Sequence, residues 1–221
     1  MLENYVTIYK ENKAEIVEKK SRFIATIKHV ETEEEIKIFL EQINKKYFDA
    51  RHNVFAYTIG TKQILERCSD DGEPSGTAGL PILEVIRGNN LHNVIIIVTR
   101  YFGGTLLGTG GLVRAYSSSA KSVIETSDIV ENILYHLLEV KVDYNLTGKV
   151  QYEILQNNHI IYETQYLDKV CYKVLVKYSE KEIFSNKMLD ITSGTSVINN
   201  EGIYYASTDS DKAITLRKKI K

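Results

Sequence analysis

The chain has 221 residues, 43% of them hydrophobic and 26% charged, with a formal net charge of −1. That length fits one large domain or two small ones with a real core, and the balance excludes a global field that would draw the protein onto nucleic acid or an anionic membrane. No window supplies the ~18 consecutive apolar residues of a spanning helix, the N-terminal MLENYVTIYKENK lacks the apolar stretch of a signal peptide, and Cys68 and Cys171 form no CxxC pair, so a cytoplasmic protein without zinc site or disulfide framework is expected.

In chain order, YVTIY (5–9), AEIVEKK (14–20) and RFIATIKHV (22–30) alternate or are β-rich and predict strands. The segment 31–47 predicts a helix, with Thr32 and Glu35 at capping-box spacing and Ile36, Phe39, Leu40 and Ile43 as its apolar stripe. NVFAYTIG (53–60) and QILERCS (63–69) predict a hairpin around Gly60 and Thr61. A loop over 69–81 leads into a short helix, PILEVIRGN, with Pro81 in its first turn. NVIIIVTRY (93–101) is the most apolar segment and predicts a central strand. After a glycine-rich loop, LVRAYSSSAKSVIET (112–126) predicts a helix with Leu112, Ala115, Tyr116, Ser119, Ala120 and Val123 at 3–4 spacing. From residue 132 the order becomes strand, helix, two strands, helix, strand, which fits a ferredoxin-like βαββαβ module over 132–207. A basic tail, 208–221, follows. Its RKKIK end reads as a solvated terminus or as an RNA contact.

Both prolines and nine of the thirteen glycines lie between residues 72 and 111, which marks 69–114 as the functional face. Three constellations stand out there. In RYFGGTLLGTGGLVRAY, glycines 103, 104, 108, 110 and 111 precede a helix whose free N–H groups suit an anion, and Arg100 and Arg114 bracket the loop. There is no GxxxxGK[ST] and no clean GxGxxG, so no nucleotide cofactor is expected, and a tight strand-to-helix connection is the competing reading. In SDDGEPSGTAG, the carboxylates of Asp70, Asp71 and Glu73 suit Mg²⁺ or a general base. The competing reading is turn capping, with Asp70 or Asp71 paired to Arg51 or Arg100. In DARHNVFAY, Arg51 and His52 stand at a strand entry, with His52 either a catalytic base or a hydrogen-bonding structural group.

Together KKSRFIA (19–25), DARHNVFAY (49–57), SDDGEPSGTAGLPIL (69–83) and VTRYFGGTLLGTGGLVRAYS (98–117) resemble the YigZ/IMPACT family. The resemblance implies an α+β chain: a domain over 1–131 with the fold of ribosomal protein S5 domain 2, and a C-terminal ferredoxin-like domain similar to domain V of elongation factor G. It implies a non-enzymatic role linked to regulation of translation, with RNA or the ribosome as partner, bound through a cleft of Arg51, Arg100, Gly103, Gly104, Gly108, Gly110, Gly111 and Arg114. A translation-associated protein is the alternative partner. A second alternative is a phosphate-handling or Mg²⁺-dependent hydrolytic enzyme using Asp70, Asp71 and Glu73 with His52.

Overall fold

The computed structural model describes residues 2–208 and 214–220 and divides into two compact units, Met1–Glu131 and Asn132–Lys221. The first holds β1 (Asn4–Ile8), β2 (Asn12–Glu18), β3 (Ser21–His29), α1 (Glu33–Lys46), β4 (His52–Ile59), β5 (Leu65–Ser69), α2 (Gly79–Gly88), β6 (Val94–Tyr101) and α3 (Thr109–Glu125). The second holds α4 (Thr147–Gln156), β8 (Ile160–Tyr166), β9 (Val170–Lys177), α5 (Lys181–Ile191), β10 (Val197–Thr208) and β11 (Ile214–Ile220), preceded by β7 (Ile129–Val142). It is a mixed α/β, two-domain chain. Among the described residues no helix is long and apolar enough to cross a membrane.

In the first unit an antiparallel sheet runs in the order β2-β3-β6-β4-β5. The unbroken apolar run of β6 follows from its central place, because successive side chains point to opposite faces and both faces are covered. Val94, Ile96 and Val98 join Ile82 and Ile86 of α2 and Leu112, Tyr116 and Ala120 of α3. Ile95 and Ile97 join Ile36, Phe39 and Ile43 of α1 on the other face. Each large apolar side chain so buried contributes about 1.5–3 kcal/mol. Thr32 caps α1 by accepting from Glu35 N at 3.2 Å, while the Glu35 carboxylate accepts from Glu31 N at 2.7 Å.

The same alternation positions the site. Arg100 continues the phase of Val94, Ile96 and Val98 and so projects on the α2/α3 side at the end of the sheet. It pairs in register with Phe23 of β3 and His52 of β4. The β2–β3 turn lies at the same end, with Lys19 and Lys20 at φ 44° and 66°.

Two elements differ from expectation. Helix α3 begins at Thr109, so Gly110 and Gly111 lie inside its first turn. Glycine costs little there, because the first N–H groups of a helix have no intrahelical partner, and a Cβ on Gly111 would press on the Leu107 side chain at 3.1 Å. In the second unit, residues 214–220 of the expected basic tail form β11, antiparallel to β10. Ile214 and Leu216 alternate towards a cluster with Tyr135, Leu137, Leu175 and Ala206, and that burial outweighs the basic character of the segment. Residues 209–213 and 221 of that tail lie outside the described residues. The second sheet runs β11-β10-β7-β9-β8, all antiparallel. Val150 and Ile154 of α4 and Phe184 and Met188 of α5 cover one of its faces.

Candidate functional site

The three carboxylates of the 70–78 loop turn to three different sets of donors. Asp70 Oδ2 accepts from Gly76 N at 2.8 Å, and Oδ1 accepts from Ala78 N at 3.0 Å and Gly79 N at 2.8 Å. Burial works against the charge of Asp70, but the three N–H donors prevail and hold its pKa below the usual carboxylate value. Asp71 Oδ2 accepts from Asn53 N at 2.6 Å, which ties the loop to β4. Glu73 turns inward and is 9% exposed. These carboxylates therefore do not form a shared cation site, and among the described residues no group of three His, Cys, Asp or Glu could hold a metal ion. Asp70 and Asp71 hold the loop through backbone N–H groups, while Glu73 faces Arg100 and Tyr116.

Glu73 is the partner of Arg100. Arg100 Nη1 donates to Glu73 Oε1 at 2.5 Å, and the Tyr116 hydroxyl donates to the same oxygen at 2.7 Å. The expected pairing of Arg51 or Arg100 with Asp70 or Asp71 is thus replaced by a longer-range one. Burial, with the Glu73 carboxylate adding to it, pushes the Tyr116 phenol far above its usual pKa, so it remains a donor. The Arg100 guanidinium also lies 5.4 Å from the Phe23 ring centroid and 5.8 Å from that of Phe102. Arg100 is only 6% exposed, and its Nε is buried with no hydrogen-bond partner. Among the described residues no hydrogen bond engages Arg100 Nη2 or Glu73 Oε2 either.

His52 Nδ1 lies 2.7 Å from the Asp71 carbonyl. A carbonyl only accepts, so Nδ1 carries the hydrogen and Nε2 is left as the acceptor of the neutral ring. The carbonyl of Asp71, rather than its carboxylate, orients the imidazole. Thr77 Oγ1 donates to the Pro74 carbonyl at 2.6 Å. Cys68 has its thiol pKa raised by burial and by Asp70, the opposite of an activated nucleophile.

The glycines divide by role. A Cβ on Gly103 would overlap the Lys20 carbonyl, so this glycine brings the Lys19–Lys20 turn directly against the β6–α3 loop, and Gly103 N donates to Ser21 Oγ at 3.1 Å. Gly104 and Gly108 adopt φ 83° and 71°, the latter at the N-cap of α3. Behind them lies a cleft of about 470 Å³. Pro74, Phe102, Leu106, Leu107 and Leu112 form apolar walls, and Arg51, His52, Glu73, Arg100, Gly108 and Thr109 supply the polar part. Arg114 does not line it. It lines a neighbouring hollow with Glu18, Lys19, Leu107 and Gly111. Arg51 and Arg100 therefore share one cleft and Arg114 stands in the next, instead of all three converging. Sequence reasoning missed Lys19, Lys20, Phe102, Leu106 and Tyr116. The stretches KKSRFIA and RYFGGTLL contain four of these, but only the close approach at Gly103 shows that the two stretches meet.

Residues 19–124 match the family model described as the Impact N-terminal domain, and residues 140–195 match a domain of unknown function, DUF1949. The Bacillus subtilis protein named IMPACT family member YvyE is 38% identical over 205 residues, 93% of this chain and 94% of its own. The chain belongs to the IMPACT family. Escherichia coli IMPACT family member YigZ is 31% identical over 179 residues, 80% of this chain and 88% of its own. A crystal structure described only as that of a hypothetical protein aligns at a TM-score of 0.59 and 29% identity, covering 90% of this chain and 97% of that one. The blocks that carry the IMPACT resemblance, 19–25, 49–57, 69–83 and 98–117, are those gathered at one end of the first sheet.

Proposed function

We propose that this IMPACT protein is a non-enzymatic, cytoplasmic binding protein linked to the regulation of translation, and that it engages RNA or the ribosome through the end of the first sheet. The observation that supports this is the rim of that end. Lys19, Lys20, Arg51 and Arg114 are all exposed around the glycine loop, while the inner cation, Arg100, is held by Glu73. Outer cations of this kind suit a phosphate backbone, and a glycine loop without Cβ atoms lets that backbone come close. In this reading the first unit has the ribosomal protein S5 domain 2-like fold. The second, with sheet order 4-1-3-2 among its βαββαβ strands, has the ferredoxin-like fold of elongation factor G domain V.

A translation-associated protein as partner is the second reading, favoured by Leu106, which is 83% exposed on the same rim. Co-sedimentation with purified ribosomes separates the two. The protein is expected to pellet with ribosomes and with deproteinised ribosomal RNA, and nuclease is expected to release it. Pelleting only when ribosomal proteins are present would contradict the RNA reading.

A further inference from the structure

The cleft contains more than a phosphate site needs. Its walls are largely apolar, and the Arg100–Glu73 pair among its lining residues joins only Nη1 to Oε1, so that a donor, Arg100 Nη2, and an acceptor, Glu73 Oε2, are engaged in no hydrogen bond among the described residues. Both belong to side chains less than a tenth exposed. Covering such a pair with a purely apolar group would strand two polar atoms of a buried ion pair. A group with a flat apolar face and a polar edge offering both a donor and an acceptor meets the apolar walls and this pair together. Phe102, 47% exposed, supplies a ring for stacking, and the Arg100 guanidinium lies over it. At about 470 Å³ the space is within the roughly 300–1,000 Å³ of small-molecule sites, too large for one amino-acid side chain to fill. The mouth of the cleft is flanked by the N-terminus of α3, where Gly108 provides no side-chain cap, and by exposed Arg51. Lys19 and Arg114 line the adjoining hollow across Leu107.

From this geometry we infer that the cleft takes one unpaired nucleobase of a single-stranded RNA. The base lies against Phe102 and the leucine walls, and its polar edge faces Arg100 Nη2 and Glu73 Oε2. The flanking phosphates lie at the α3 N-terminus and along Arg51, Arg114 and Lys19. Base-in-cleft recognition of this kind requires a splayed strand, so a duplex is excluded. This rests on the RNA reading above and specifies what the cleft does within it.

The test is fluorescence anisotropy with three labelled probes of equal length: a six-nucleotide single-stranded RNA, the same backbone with all bases removed, and the RNA annealed to its complement. The intact strand is expected to bind about tenfold or more tighter than either of the others. Phe102→Ala, at an exposed position, is expected to keep the wild-type melting temperature and to weaken the intact strand about tenfold while leaving the abasic strand unchanged. Equal binding of intact and abasic strands, or of the duplex, would overturn the base-in-cleft proposal but leave RNA binding standing. An effect of Phe102→Ala on the abasic strand equal to that on the intact one would also overturn it. Binding of none of the three probes would overturn both this inference and the RNA reading.

Discussion

Glu73 and Arg100 are each almost fully buried, and their side chains neutralise one another while the Tyr116 hydroxyl also donates to Glu73. Removing one partner leaves an uncompensated charge. Glu73→Ala is expected to cost about 3–5 kcal/mol of unfolding free energy, measured by urea denaturation. The double variant Glu73→Leu with Arg100→Met is expected to recover most of that loss, because an apolar pair of similar volume replaces a desolvated ionic one. Asp70 behaves differently, as a backbone organiser. Asp70→Ala is expected to cost about 2 kcal/mol near neutral pH, since three N–H groups lose a charged acceptor. Its folded pKa lies below the usual 3.8, so its contribution is complete above that value and is lost as pH falls through the folded value. The stability gap between wild type and variant should therefore close on acidification. Of these roles only the turn-capping one was legible in the residues. Glu73 and Arg100 are 27 positions apart, and nothing in the spacing of DDGE distinguishes the carboxylate that turns inward from the two that hold the loop.

At the scale of elements, the β6–α3 connection shows why glycine density alone was ambiguous. The sequence offered an anion cradle and a tight connection as alternatives; the structure shows the tight connection at Gly103, and the anion cradle belongs to the proposed function. Gly103→Ala would drive a methyl into the Lys20 backbone and is expected to cost about 3 kcal/mol or more. Gly104→Ala meets open space at φ 83° and is expected to cost only about 1–2 kcal/mol. Chemical denaturation of the two variants checks the ordering, and equal costs would show that the β2–β3 turn is not pinned there. The start of α3 was misplaced by three residues because glycine depresses helix propensity everywhere except in the first turn, where these glycines sit. Strand β11 was missed because the lysines of RKKIK masked the alternation of Ile214 and Leu216. Deleting residues 214–221 is expected to destabilise the second unit by roughly 2 kcal/mol, from two half-buried side chains at about 1 kcal/mol each, read as a lowered thermal midpoint.

For the whole molecule, the division into two α/β units and the central place of β6 were readable. A strand buried on both faces must be continuously apolar, and the change to a βαββαβ pattern after residue 131 is a change of period. That the three motifs lie together was readable, but their geometry was not. Only the folded sheet brings Lys19, Lys20, Arg51 and Arg114 to one rim while withdrawing Arg100 and parting Arg51 from Arg114. The most direct measurement is the salt dependence of single-stranded RNA binding. Wild type is compared with a variant carrying Lys19→Ala, Lys20→Ala, Arg51→Ala and Arg114→Ala, all at exposed positions. If the rim holds phosphates, log K falls with log salt at about −0.7 per contacted phosphate, and the fourfold variant shows weaker binding with a slope closer to zero by up to about 2.8. An unchanged slope and affinity in that variant would contradict the assignment of this face.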